Sequence, residues 1–232
     1  MGAHDGLFRE RRGSGPPFLV IPGASGGSAI FASLADALAE RYTVLTYDRR
    51  GHARSGPDAA EFSVASHAAD ARAVIADSGL GAATVLGISA GAIIGLDLAA
   101  RFPEVVSTVV AHEPPLYSVL PRPRVRTAVR RTVLRVRARR SAGAQAFLTR
   151  EMRGFHGYDA GQLSAITVPV VLGAGQDSRG NSRYRISRLL ADRLGARFAE
   201  FPGGHRGAMT HPGEFAATLI QVLDALSATG SG

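Results

Sequence analysis

Cysteine is absent from the 232 residues, so neither disulfides nor thiolate chemistry contribute. Tryptophan is absent as well, and because lysine is missing, all 27 basic residues are arginine. No apolar run approaches the roughly 18 residues that suggest a membrane span. The stretch from Met1 to Arg12 is polar and charged and lacks the apolar core of a signal peptide. A cytoplasmic protein without membrane contact is the default expectation. There is no H-E-x-x-H and no P-loop spacing, so neither a metal nor an organic cofactor is expected.

What is present is a chain of ordinary apolar content, 45%, long enough for one α/β domain with a sizeable core and a small insertion. The formal net charge is +8, and nine arginines fall between Arg122 and Arg140. A GC-rich genome also enriches arginine, alanine and glycine, so the clustering says more than the total. Such a cluster suits an anionic substrate, a phosphate or an acidic protein surface. Nucleic acid is not the expected partner, because no aromatics are interleaved and no nucleic-acid motif is present. The oligomeric state is left open.

The stretch that organises the chain is Val85-Leu86-Gly87-Ile88-Ser89-Ala90-Gly91, which runs without a gap into the helical Ala92 to Ala100. A buried-strand run ending in Gly-x-Ser-x-Gly and opening a helix is the pattern of a nucleophile elbow, which lifts one serine above a sheet. The glycines two before and two after Ser89 allow strand and helix to approach without a Cβ clash. The helix N-terminus points N–H groups at the serine, where negative charge would develop. A plain Gly/Ser turn shares the five residues; the strand-turn-helix context separates the two.

Elsewhere, strand-like runs alternate with helical periodicity. Strands are expected over Leu7–Arg12 at an edge, Phe18–Ile21, Tyr42–Tyr47, Thr84–Ile88, Val105–Ala111, Val168–Gly173 and Arg197–Phe201. Helices are expected over Ser28–Glu40, Val64–Ser78, the run after Ser89 to Arg101, Ser182–Leu194 and Glu214–Leu226. This rhythm predicts an α/β fold: a mostly parallel sheet covered by helices on both faces, in one domain spanning residues 1–232. Residues 116–165 break the rhythm and read as an inserted helical lid.

Ligands in open α/β sheets sit at the carboxyl ends of the strands. Gly23-Ala24, Asp48, Ser89, His112-Glu113, Asp177 and Gly204-His205 stand there. A serine hydroxyl needs a base to take its proton, and a histidine base needs a carboxylate to set its tautomer. His205, in a Gly-rich loop directly after a strand, is the expected base, with His112 a minor rival. His52, His67 and His211 read as solvated or helix-end residues. Asp177 is the expected orienting acid. Glu113, which also ends a strand, is its rival.

With these motifs in place, the chain resembles the α/β-hydrolase superfamily from about Leu7 to Leu226. Gly87-Ile88-Ser89-Ala90-Gly91 matches its elbow, and Asp48 to Ser55 looks like a loop of epoxide-hydrolase-like and esterase-like members. Gly173-Ala174-Gly175-Gln176-Asp177 is similar to the acid loop, and Gly203-Gly204-His205 to the histidine loop. The order Ser, Asp, His is the one this superfamily uses. The resemblance implies that the backbone N–H groups of Ala24 and Ala90 form an oxyanion hole. Many members carry His-Gly where this chain has Pro22-Gly23, but the donors are backbone groups.

The function this implies is a serine hydrolase of ester, thioester or lactone bonds, acting through Ser89, His205 and Asp177 without a cofactor. Gly23, His112, Glu113 and Arg130 are candidate contacts to a small, anionic substrate. A serine at the elbow argues against the aspartate-based dehalogenase and epoxide-hydrolase chemistry of the same fold. The alternatives are another reaction on this fold (C–C cleavage, cyclisation or perhydrolysis) and a non-catalytic binder that works through the arginine-rich lid.

Overall fold

The computed structural model describes residues 6–56, 62–121, 145 and 147–229. Seven strands form one sheet: β1 (Arg9–Arg12), β2 (Pro17–Ile21), β3 (Thr43–Tyr47), β4 (Ala83–Ile88), β5 (Val106–His112), β6 (Val170–Gly175) and β7 (Arg197–Phe201). Their order is β1-β3-β2-β4-β5-β6-β7. β1 is the antiparallel edge strand, and every other pairing is parallel. The mostly parallel sheet expected from the alternation is therefore present.

Parallel strands buried on both faces need apolar residues at every position, and β2 shows why. Phe18 and Val20 join one core cluster with Phe31, Leu34, Phe201 and Phe215. Leu19 and Ile21 join the other, with Val74, Ile75, Ile93 and Ile186. Helices α1 (Ala32–Ala39) and α7 (Pro212–Thr229) cover the first face. Helices α2 (Val64–Ser78), α3 (Ala90–Arg101) and α5 (Ser182–Leu194) cover the second. Among the described residues there are two further short helices, α4 (Met152–His156) and α6 (Gly207–Thr210), which precedes α7.

Local chemistry sets the helix ends. Ser63 and Ser66 form a reciprocal capping box at the start of α2, and Gly79 ends it in the left-handed conformation. The Asn181 side chain accepts from the Arg183 and Tyr184 N–H groups, and Gly195 closes α5. The expected bounds of α2, α5 and β7 agree with the structure. The run expected as one helix over residues 28–40 is instead a 3-10 turn, Ala29–Phe31, followed by α1. β6 starts two residues later than expected and runs on to Gly175, with the Pro169 carbonyl accepting from Val109 N–H at 3.0 Å.

Between β5 and β6 the described residues form short helical pieces: Tyr117–Val119, a π-helical turn over Phe147–Glu151, α4, and Ala160–Ala165. They are pinned to the domain by Tyr158, whose hydroxyl donates to the buried Asp97 of α3 at 2.9 Å. The arginine cluster from Arg122 to Arg140, with the candidate contact Arg130, lies outside the described residues.

Candidate active site

Ser89 sits between β4 and α3 with φ 58° and ψ −119°, a conformation non-glycine residues rarely hold and that costs on the order of 1–3 kcal/mol. The flanking glycines make this turn possible. A Cβ on Gly87 would lie 2.3 Å from the Gly91 carbonyl oxygen, and one on Gly91 would lie 2.2 Å from the Ile21 carbonyl oxygen. Ser89 is half-buried, and its N–H donates to the His112 carbonyl at 2.9 Å. The elbow is thereby tied to the end of β5.

The residue after His112 is Glu113, also at a positive φ, 49°. Its Oε2 lies 2.8 Å from His205 Nδ1, and its Oε1 accepts from Gly175 N–H at 3.1 Å. The carboxylate is fully buried. Burial alone would raise its pKa, but hydrogen bonds from His205 and Ser178 and the nearby histidine charges outweigh it and hold the group down to about 2. Glu113 is therefore a carboxylate at neutral pH, and a carboxylate facing Nδ1 fixes the tautomer that leaves Nε2 as the base. Ser89 and His205 are thus both anchored to one strand end.

The structure does not bring the expected acid, Asp177, to His205. Asp177 is exposed, and its N–H donates to the Gly203 carbonyl at 3.0 Å. The histidine loop passes so close to β6 that a Cβ on Gly175 would lie 2.5 Å from the Gly203 carbonyl oxygen. The loop expected to supply the acid instead supplies two donors, Gly175 N–H and Ser178, to the acid on the neighbouring strand. Glu113, expected as a substrate contact and as the rival acid, holds the histidine.

His112 also departs from its expected substrate contact. It is fully buried, packed edge-on against Phe201 and Phe215 at ring distances of 5.6 and 5.3 Å, on the face of the sheet covered by α7. Burial lowers its pKa to about 4, so it is neutral. Gly23 does lie at the elbow: a Cβ there would stand 2.8 Å from the Ile88 carbonyl oxygen and 3.1 Å from Ser89 Cβ. Ala24 is the residue after Gly23, and Ala90, the first of α3, directly follows the serine; the N–H of a first helical residue has no intrahelical acceptor. Asp48 holds this loop from below, accepting from Ser28 N–H at 2.7 Å, Ser28 Oγ at 2.9 Å and Arg54 Nε at 2.7 Å.

Two histidines expected in solvent, His52 and His67, are buried with Arg49 and Glu151. Arg49 donates through Nη1 to Glu151 Oε2 at 2.8 Å and through Nη2 to the Gly23 carbonyl at 3.0 Å. His52 Nε2 lies 2.5 Å from Glu151 Oε1, and His67 Nε2 lies 3.0 Å from Arg49 Nη1. Burial and the arginine lower the His67 pKa, so its Nε2 accepts from Arg49. Burial works against the Glu151 carboxylate, but the bond from His52, the nearby His67 and the charge of Arg49 hold it well below the ordinary range. His67 was legible in advance: with Val64, Ala68, Ala71 and Ile75 it falls on the apolar stripe of α2. Nothing in the sequence pairs it with Glu151.

Among the described residues no group of three or more His, Asp or Glu side chains is placed to hold a metal, and no helix is long and apolar enough to cross a membrane.

Comparison with known proteins accords with the fold. The family model for the alpha/beta hydrolase fold matches residues 16–152. The uncharacterized hydrolase YraK of Bacillus subtilis (strain 168) is 32% identical over an alignment 250 positions long that covers 94% of this chain and 92% of YraK. Among solved structures, an esterase from Exiguobacterium antarcticum superposes with a TM-score of 0.76 at 18% identity, covering 94% of this chain and 95% of its own. Est816, described as an N-acyl homoserine lactone degrading enzyme, gives 0.74 at 21% identity, covering 93% and 96%. At these identities the two structures speak for the fold alone. The family match covers more than half of the chain and YraK nearly all of it: the protein belongs to the alpha/beta hydrolase fold family and is an enzyme of that family.

Proposed function

We propose that the protein is a serine hydrolase that cleaves a carboxylic ester, thioester or lactone through a Ser89–His205–Glu113 relay. The observation that carries this reading is the buried Glu113 carboxylate 2.8 Å from His205 Nδ1, one residue beyond the carbonyl that anchors Ser89. His205 Nε2 takes the Ser89 hydroxyl proton as Oγ attacks the substrate carbonyl. The Ala24 and Ala90 N–H groups receive the oxyanion. Collapse expels the alcohol or thiol, which leaves with the proton from Nε2. Water, deprotonated by the same nitrogen, then releases the acid and frees Ser89.

The insertion over residues 116–165 is the element that shapes the substrate pocket, since it lies between the strand that carries Glu113 and the one that ends beside it. The nine arginines from Arg122 to Arg140 favour an anionic acyl group.

The test is covalent labelling with a fluorophosphonate, followed by turnover of a panel of p-nitrophenyl esters and lactones. Labelling at Ser89, and a fall in kcat of at least about 10³-fold in Ser89→Ala, are expected. An unlabelled, folded protein that turns over no member of the panel would leave a binder or another reaction of the fold.

A further inference from the structure

Arg49 is a fully buried cation with no role in proton transfer, yet it reaches the loop beside the nucleophile twice. Its backbone N–H donates to the Gly26 carbonyl at 2.8 Å, and its Nη2 donates to the Gly23 carbonyl at 3.0 Å. Gly26 N–H donates to the same Gly23 carbonyl at 3.0 Å. The Gly23 carbonyl and the Ala24 N–H belong to one peptide unit, and no cis peptide occurs among the described residues. In a planar trans peptide these two groups point in opposite directions. Holding the oxygen therefore aims the N–H, and a positive charge at the oxygen draws electron density from the nitrogen and strengthens it as a donor.

We propose that Arg49, fixed by Glu151, is the positioning residue of the oxyanion hole, setting the direction and donor strength of the Ala24 N–H. This rests on the serine-hydrolase reading above. A buried guanidinium requires a counter-charge, and Glu151 supplies it from the π-helical turn between β5 and β6. His52 holds the other carboxylate oxygen, and His67 accepts the second Nη1 hydrogen, so the arginine is restrained at both Nη arms of its fork. A Cβ on Gly26 would lie 2.1 Å from the His52 ring, so the loop is packed against the same cluster. The segment that borders the substrate pocket is thus wired to the oxyanion peptide by one charge pair.

A cluster that served folding alone would leave transition-state binding untouched in any variant that folds. The experiment compares wild type, Ser89→Ala, Arg49→Lys, Arg49→Met and Glu151→Gln, with p-nitrophenyl butyrate as substrate and an alkyl trifluoromethyl ketone as tetrahedral mimic. In Arg49→Met, kcat should fall roughly 10- to 100-fold with KM within about twofold, and the Ki of the ketone should rise in proportion to the loss in kcat. Arg49→Lys, which keeps the charge and one donor, should recover part of both. Glu151→Gln should lie between them and wild type. If Arg49→Met does not fold, Arg49→Lys and Glu151→Gln carry the same comparison. Unchanged kcat and Ki in folded variants would overturn the proposal, as would a loss in kcat with an unchanged Ki. A wild type that neither labels nor differs from Ser89→Ala would overturn the hydrolase reading instead.

Discussion

The acid of the proposed relay turns on one backbone angle. Glu113 follows β5 directly, Asp177 stands two residues past β6, and both lie between Ser89 and His205 in the chain. Spacing alone cannot rank them, because it carries no information about which way each loop turns. The positive φ at Glu113 turns its side chain into the space under His205, while Asp177 opens a turn whose side chain faces solvent. Glu113→Gln should therefore lower kcat by about 10³- to 10⁴-fold, because the amide no longer stabilises the imidazolium and permits the wrong tautomer. Asp177→Asn should leave kcat within about threefold. Steady-state turnover of one p-nitrophenyl ester decides the matter; the opposite ranking would return the role to Asp177. Motif and loop chemistry mark Ser89 and His205 in the sequence, but they leave Glu113 only as the rival of Asp177, since a φ of 49° on a glutamate has no sequence signature.

At the scale of the element, the sequence was most informative where periodicity and capping agree. α2 and α5 have both, and their ends fall where expected. Residues 116–165 keep no single period from end to end, and there the expectation of a helical lid fixed no helix bounds. Glycine roles likewise split by what surrounds them. Gly91 and Gly95 stand on the same helix and look alike in sequence. A Cβ on Gly91 would meet backbone oxygens of Ile21 and Pro22 at 2.2 and 2.8 Å, neither of which can move without breaking β2 from the elbow. A Cβ on Gly95 would meet the Val109 and Val85 methyl groups at 3.4 Å, near ordinary contact. Gly91→Ala should destabilise the fold by more than about 3 kcal/mol or prevent it from forming. Gly95→Ala should stay within about 1 kcal/mol of wild type, because the gain in helix propensity offsets the tight contact. Urea midpoints of the two variants give the comparison, and equal losses would show that the elbow is no more closely packed than the helix behind it.

At the scale of the whole molecule, the buried ionisable groups gather around the carboxyl ends of the strands, and they make this edge the acid-sensitive part of the fold. His112 is held neutral, its pKa lowered from 6.5 to about 4 chiefly by burial, with Glu113 acting against the shift and His205 with it. His67 is shifted the same way. A base whose folded pKa is depressed contributes stability that is full above its unfolded value and is lost as pH falls toward the folded value, because the unfolded chain binds the extra proton. Between pH 6.5 and about 4, His112 alone should therefore cost roughly 3 kcal/mol, with His67 adding to it. The carboxylates act lower. Glu113 falls from 4.5 to about 2, and Asp48 from 3.8 to about 2 despite its burial, through bonds from Arg54 and Ser28. Their stabilisation is complete above the unfolded values and is lost as pH drops through the folded ones. The net charge of +8 at pH 7 grows as carboxylates protonate, and self-repulsion adds to the loss. Urea-unfolding free energies should thus be level above about pH 7, decline from 6.5 to 4, and fall more steeply below 4.5. His112→Leu, which keeps an apolar side chain between Phe201 and Phe215, should flatten the upper limb and leave the lower one in place. A wild-type curve that stays level down to pH 4 would mean that the buried histidines do not set the acid limit, and the fold would then fail only with its carboxylates.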